Sequence, residues 1–162
     1  MIKEVTGDIL LSECKTIAHS VAPMDHFDSG LALSLREMYP SMTKDFRHYC
    51  KVYHPKPGTI WSWGGVGGRQ IVNLMAQEPA PSDKGGHPGK ASISNLDHCL
   101  KDLAKWLKAE NIDKIALPKL ATGVGGLDWK DVEPSIQKHL GDLDIPVYIY
   151  TTYAKGVKAE ES

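Results

Sequence analysis

The chain reads as an α/β protein on a mixed sheet of roughly six strands. Short β-rich apolar runs alternate with longer stretches of helical periodicity, the pattern of that fold class. The strand candidates are Ile2–Thr6, Thr16–Val21, Thr59–Trp63, Gln70–Met75, Lys114–Pro118 and Val147–Thr151. Only Gly64-Gly65-Val66-Gly67-Gly68 separates the third from the fourth, which predicts an antiparallel hairpin with a wide turn. The other strands are joined through helices and need not be antiparallel, so the sheet is mixed.

The helices follow in order. Leu31, Leu35, Met38 and Tyr39 define the first, closed by Pro40. Ser41 is positioned to cap a second, which buries Met42, Phe46, Tyr49 and Cys50. Leu96, Leu100, Leu103, Ala104 and Leu107 share one face of a third, with Ser94 as its expected N-cap. Val132, Ile136 and Leu140 define the last, ended by Gly141. Apolar residues at these spacings are first of all core, and Trp61, Trp63, Trp106 and Trp129 are read the same way. Residues 1–154 are expected to form one domain and 155–162 a charged, frayed tail.

A hydrophobic share of 41% with 24% charged residues suits a globular domain. The net charge of −1 argues against a broad footprint on duplex nucleic acid or a membrane. It leaves room for one nucleotide held by backbone amides. Cys14, Cys50 and Cys99 are scattered, without zinc spacing, and are expected to be reduced thiols. No charged leader precedes an apolar region near Ile2-Lys3-Glu4-Val5, and no apolar run approaches a membrane span. A cytoplasmic, monomeric protein without metal or cofactor is expected.

The segment with the clearest chemistry is Ala121-Thr122-Gly123-Val124-Gly125-Gly126, between a buried strand and a helix. Glycines there let backbone approach a ligand, and their amides together with a helix N-terminus suit an anion such as a diphosphate. The same turn could be only a tight connection. It lacks both the P-loop lysine and the dinucleotide glycine spacing. Asp8, in Thr6-Gly7-Asp8-Ile9, either caps a turn or accepts from an exocyclic amine such as that of adenine. His19 is either a satisfied core histidine or part of a site. It leads into a polar loop, Ala22–Gly30, whose Asp25, His26 and Asp28 are solvated charges or acid–base groups. A second loop, Gln77–Lys90, carries Lys84, His87 and Lys90, and long unstructured loops are often functional. Lys90 lies just before a capped helix, whose dipole favours the neutral, nucleophilic amine. Tyr148, Tyr150 and Tyr153 either pack in the core or stack on a base.

In their order along the chain, Gly7-Asp8-Ile9, Ala18-His19-Ser20, Ser29-Gly30-Leu31-Ala32 and the stretch from Pro118 to Trp129 resemble the macrodomain family. The resemblance covers Ile2 to about Tyr150. It is nearest the branch of the terminal ADP-ribose protein glycohydrolase and the antitoxin macrodomains that remove ADP-ribose from DNA. It implies a three-layer α/β/α fold that binds ADP-ribose or an ADP-ribosylated macromolecule. Residue by residue, it implies that Asp8 and Ile9 meet the adenine, with Tyr150 or Thr151 nearby. Ser29, Gly30 and Leu31 would border the proximal phosphate and distal ribose, close to His19. Thr122, Gly123, Val124, Gly125 and Gly126 would wrap the diphosphate. Lys90, ahead of Asn95-Leu96, would face C1″ of the distal ribose as nucleophile or electrostatic partner.

Two positions depart from the family pattern. Gly125 stands where the protein-directed member has an aspartate that resolves the lysyl intermediate. Asp28 stands where the family has a small residue, and could serve as acid or base or could hinder binding. Three functions therefore stay open: an ADP-ribosyl hydrolase acting on DNA or protein, a non-catalytic reader, and an ADP-ribose 1″-phosphate phosphatase or O-acetyl-ADP-ribose deacetylase using His19 or Asp28. On the first, a few bases of an attached nucleic acid would meet Lys84, His87 and Lys90.

Overall fold

The computed structural model describes residues 1–81 and 88–162. Its elements run β1 (Ile2–Gly7), β2 (Thr16–Ser20), α1 (Gly30–Met38), α2 (Pro40–Tyr53), β3 (Ile60–Gly64), β4 (Gln70–Leu74), α3 (Ile93–Ala109), β5 (Ile115–Pro118), α4 (Trp129–Leu140) and β6 (Val147–Tyr153). The six strands form one sheet in the order β1-β6-β5-β2-β4-β3. All neighbours are parallel except β3 and β4, which pair antiparallel as the glycine-rich connection predicts.

Alternation along the strands builds the three layers. Ile17, Ile71, Ala116 and Tyr148 face a core containing Leu35 of α1 and Met42, Phe46 and Cys50 of α2. Their neighbours Ala18, Val72, Leu117 and Ile149 face the opposite core, with Leu96, Leu100 and Leu103 of α3 and Val132 and Ile136 of α4. A parallel sheet covered on both faces must be apolar on both, and this alternation satisfies it. The expected three-layer α/β/α arrangement with a mixed six-stranded sheet is the one observed.

Two helix starts differ from expectation. The N-cap of α3 is Ser92, whose hydroxyl accepts from the Asn95 amide at 3.0 Å. Ser94 lies inside the helix. α2 starts at Pro40 rather than after a Ser41 cap. Proline suits a first helical position because its ring presets φ and its missing N–H falls where helix donors are unpaired anyway.

Residues 155–162, expected to fray, pack instead against β1 and β6. The Asp8 amide donates to the Val157 carbonyl at 2.7 Å, and Lys158 pairs with Glu13 at 2.7 Å. Ala159 joins the core on the α1–α2 side. Cys14, Cys50 and Cys99 are buried free thiols. None of the described helices is long and apolar enough to cross a membrane.

Candidate functional site

The carboxyl ends of β1, β2, β5 and β6 open on the same edge of the sheet, where ligands of open α/β folds bind. Two cavities lie there, of about 410 and 400 Å³. They share Gly30, Leu31 and Pro118 as walls, so they form one groove with two lobes.

The first lobe is bordered by Gly7, Asp8, Ile9, Leu10, Ser34, Tyr150 and Tyr153. It offers an apolar and aromatic surface with one carboxylate, the balance that suits a planar base. Asp8 is buried and does what a capping residue does: Oδ1 accepts from the Leu10 amide at 3.1 Å, at the start of a short 3₁₀ turn. Its Oδ2 accepts from the Gly156 amide at 3.1 Å. A carboxylate has about four acceptor sites, so both oxygens keep capacity for a ligand donor. Capping and ligand recognition are compatible here.

The second lobe is bordered by the Ala22–Ala32 region, His19, Ser20, Lys119 and the glycine loop. Ala121 holds a left-handed φ of 60° and donates its amide to Ser20 Oγ at 2.9 Å, tying the loop to β2. Leu127 and Gly126 donate back into the loop, to Ala121 and Gly123. The amides of Gly123, Val124 and Gly125 donate to no acceptor among the described residues. Across the lobe sits the first turn of α1, whose opening amides have no intrahelical partner. Ser29 precedes α1 without a capping bond from its side chain. Loop amides and a helix N-terminus thus face one space, a geometry that receives an anion. The helix contributing is α1; α4, expected from its place after the loop, starts at Trp129 outside the lining.

Gly125 is confined by its own loop. A Cβ there would stand 2.6 Å from the Ala121 carbonyl oxygen. No side chain fits at this position without a backbone shift, so the missing loop aspartate has a steric reason.

His19 is 2% exposed, with Nε2 and Asn73 Oδ1 2.6 Å apart. An amide oxygen only accepts, so Nε2 carries the proton. Burial pushes the pKa down to about 4, against the smaller opposing effect of Asn73. His19 is therefore a neutral, satisfied core histidine that also borders the groove. Asp25 is buried and organises the loop, its oxygens accepting from the amides of Ala22 at 2.9 Å and Phe27 at 2.8 Å. Burial holds its pKa above the usual carboxylate range despite those bonds. Asp28 borders the lobe but is paired with Arg36 at 2.7 Å on the surface. His26 Nδ1 meets the guanidinium of Arg47.

Lys90 is exposed and outside the lining of either lobe. Its stem runs beside Gly126, and the next residue, Ala91, donates its amide to the Gly125 carbonyl at 2.9 Å. The lysine is thus fastened to the glycine loop by backbone and stands at the rim. Thr122 lies outside the lining too, its hydroxyl donating to the Lys119 carbonyl. So does Gly126, with a φ of 75°. Thr151 is not on the groove either, since it falls at the register shift that pairs Val5 with Tyr150 but Thr6 with Thr152. Tyr148 takes the core alternative. Lys84 and His87 lie outside the described residues. Sequence reasoning missed Lys119, Pro118 and Ser34. The first two sit at the end of β5, where a strand's carboxyl end alone signals a site. The described residues contain no group of three or more histidine, cysteine or acidic side chains able to hold a metal.

The family model of the Macro domain matches residues 25–136, more than half of the chain, and the chain belongs to that family. Among solved structures, the macrodomain of Mycobacterium tuberculosis DarG superposes with a TM-score of 0.79 at 26% identity, covering 93% of this chain and 97% of that one. Thermosipho africanus DarTG in complex with ADP-ribose gives 0.79 at 23% identity, over 95% of this chain and 42% of that one, a likeness of fold. Among curated proteins, a DNA ADP-ribosyl glycohydrolase of Mycobacterium tuberculosis is 29% identical over 156 residues, 91% of this chain. The match takes in 42% of that relative, so the chain spans less than half its length. An ADP-ribose 1″-phosphate phosphatase of Candida albicans is 22% identical, over 92% of this chain and 99% of that protein.

Proposed function

We propose that the groove binds ADP-ribose and that the chain is an ADP-ribosyl glycohydrolase releasing mono-ADP-ribose from DNA. The observation that carries this is the two-lobed groove itself. An apolar lobe with one buried carboxylate adjoins a lobe of loop amides and a helix N-terminus. In this reading the adenine lies against Ile9 and Tyr150 with its amine on Asp8. The diphosphate spans the shared wall at Gly30–Leu31 and receives the Gly123–Gly125 amides. Fixed amides neutralise the anion without a large net charge, consistent with −1 for the whole chain. The DNA target is taken from the glycohydrolase relatives.

Lys90 acts from the rim. Its amine nitrogen attacks C1″ of the distal ribose, the bond from C1″ to the base breaks, and the electron pair leaves with the base, which takes up the proton that the attacking nitrogen gives up. Water then releases ADP-ribose and restores the lysine. The four-carbon stem beside Gly126 has the reach and freedom to swing inward.

The test is titration of the protein with ADP-ribose, together with release assays on ADP-ribosylated single-stranded DNA and ADP-ribosylated protein. Lys90→Ala is expected to keep ADP-ribose affinity within about twofold and to lower release at least ~100-fold, the scale of losing a covalent nucleophile. Full activity in Lys90→Ala excludes the lysine mechanism. A second reading, phosphatase action on ADP-ribose 1″-phosphate, is favoured by the full-length match to the Candida albicans enzyme. Lys90→Ala spares that reaction. Binding without any release supports a reader.

A further inference from the structure

We propose that residues 155–162 act as a strap that sets the adenine lobe, with Glu161 as its positioning residue. This rests on the ADP-ribose reading of the groove and adds to it a segment that borders neither lobe. The Glu161 carboxylate gathers donors from two separate parts of the chain, the Ser12–Cys14 stretch and Tyr150. Oε2 accepts from the Tyr150 hydroxyl and, at 2.6 Å, from the Ser12 hydroxyl, and Oε1 accepts from the Glu13 amide at 3.0 Å. The Glu161 carbonyl takes the Tyr148 hydroxyl at 2.5 Å, and the Ser162 carbonyl takes Lys3 Nζ at 2.7 Å. Bonds to an ionised acceptor are roughly twice as strong as neutral ones, which favours a fixed strap over a frayed one.

Three of the strap's hydrogen bonds end on groove residues, one on Tyr150 and two on Asp8, whose amide donates to the Val157 carbonyl. Tyr150 borders the adenine lobe, and its hydroxyl is held from behind by Glu161. Asp8 borders it too, and the strap's Gly156 amide occupies one acceptor site of Oδ2, which sets the rotation of the carboxylate. Gly7 carries an independent mark of the same packing. A Cβ at Gly7 would meet Ala159 Cβ at 2.8 Å and the Val157 carbonyl at 2.9 Å. A side chain at Gly7 would collide with the strap, in addition to the strain set by its φ of +158°. Base recognition at Asp8 and Tyr150 therefore depends on how residues 155–162 pack beside them.

The strap is read in two ways. Hydrogen exchange at the Leu10 and Gly156 amides should speed up in Glu161→Ala, and unchanged exchange at both overturns the strap. Titrations then compare ADP-ribose with inosine diphosphate ribose, which replaces the amine on the base by a carbonyl. The wild type should prefer ADP-ribose, and Glu161→Ala should lose about tenfold in ADP-ribose affinity with the preference shrinking towards one. Glu161→Gln, which keeps an acceptor for Tyr150, should recover part of the preference. Lower affinity with the full preference retained means a structural role only and overturns the assignment. Ser12→Ala is the second variant: it removes a donor to Glu161 at a residue outside both lobes and should shrink the preference in the same direction; an unaltered preference there also overturns the assignment. If the wild type binds neither nucleotide, the groove reading and the strap's role fail together. If it binds both and Glu161→Ala matches it, only the strap fails.

Discussion

Gly125 shows how a single missing side chain shapes this site. Its Cβ position is taken by the Ala121 carbonyl, whereas a Cβ at Gly123, two residues earlier, meets nothing within 4 Å. Gly125→Ala is therefore expected to lower stability by about 1–3 kcal/mol, the range for forcing a methyl into a filled space, and Gly123→Ala by less than about 0.5 kcal/mol. Urea denaturation of the two variants side by side checks this; equal losses would show that the loop moves freely. The same geometry argues against restoring an aspartate at this position to gain activity. A carboxylate at Gly125 would first have to displace the loop whose Gly123, Val124 and Gly125 line the second lobe. If a second proton-transfer group exists, it has to come from elsewhere. Asp28 is a poor source while Arg36 holds it, and breaking that exposed pair costs little.

At the level of elements, α3 tests how well its start is understood. Ser92 accepts from the Asn95 amide, while Ser94 is exposed inside the first turn. Ser92→Ala is expected to cost about 1 kcal/mol and Ser94→Ala a few tenths at most, read from thermal or chemical unfolding. Both serines satisfy the capping preference, so sequence could not separate them. The outcome turned on which one has extended backbone, and that is set by the loop arriving from Gly89–Ala91. The strands and the hairpin were legible because their periodicity is local. So was the glycine loop, where residue type and position at a strand end coincide. Between Tyr150 and Thr151, it is Tyr150 that borders the groove, and the register shift beside them is invisible without the partner strand. The packed tail was misjudged for a similar reason: its charged residues read as solvated until Glu161 is seen to meet Tyr150 and Ser12, 11 and 149 positions away. Long-range pairings of that kind leave no periodic trace.

For the whole molecule, the buried His19 ties stability to pH. The unfolded chain takes up a proton at this side chain below about 6.5, while the folded one stays neutral down to about 4. The unfolded state thus binds more protons in that window, and stability falls as pH drops through it. The contribution is complete above pH 6.5 and amounts to about 3 kcal/mol when fully lost. His19→Gln, which cannot titrate, should show a shallower decline than the wild type between pH 7 and 4 in denaturant midpoints. Parallel curves would place the acid sensitivity in groups other than His19; Asp25, whose carboxyl burial holds above its usual value, acts in the opposite direction. The sheet order also has a meaning in time. β6 lies between β1 and β5, so β1, the first strand made, has no partner in the sheet until Val147–Tyr153 arrives. During synthesis, α1 through α4 can gather on β2, β4 and β5 while β1 waits. Gly7 and Asp8 lie at one side of that late seam and Tyr150 at the other, so a nascent chain on the ribosome has no complete site for a nucleotide. Such a chain cannot be rescued by its ligand, which can stabilise the protein only once the final strand has left the exit tunnel.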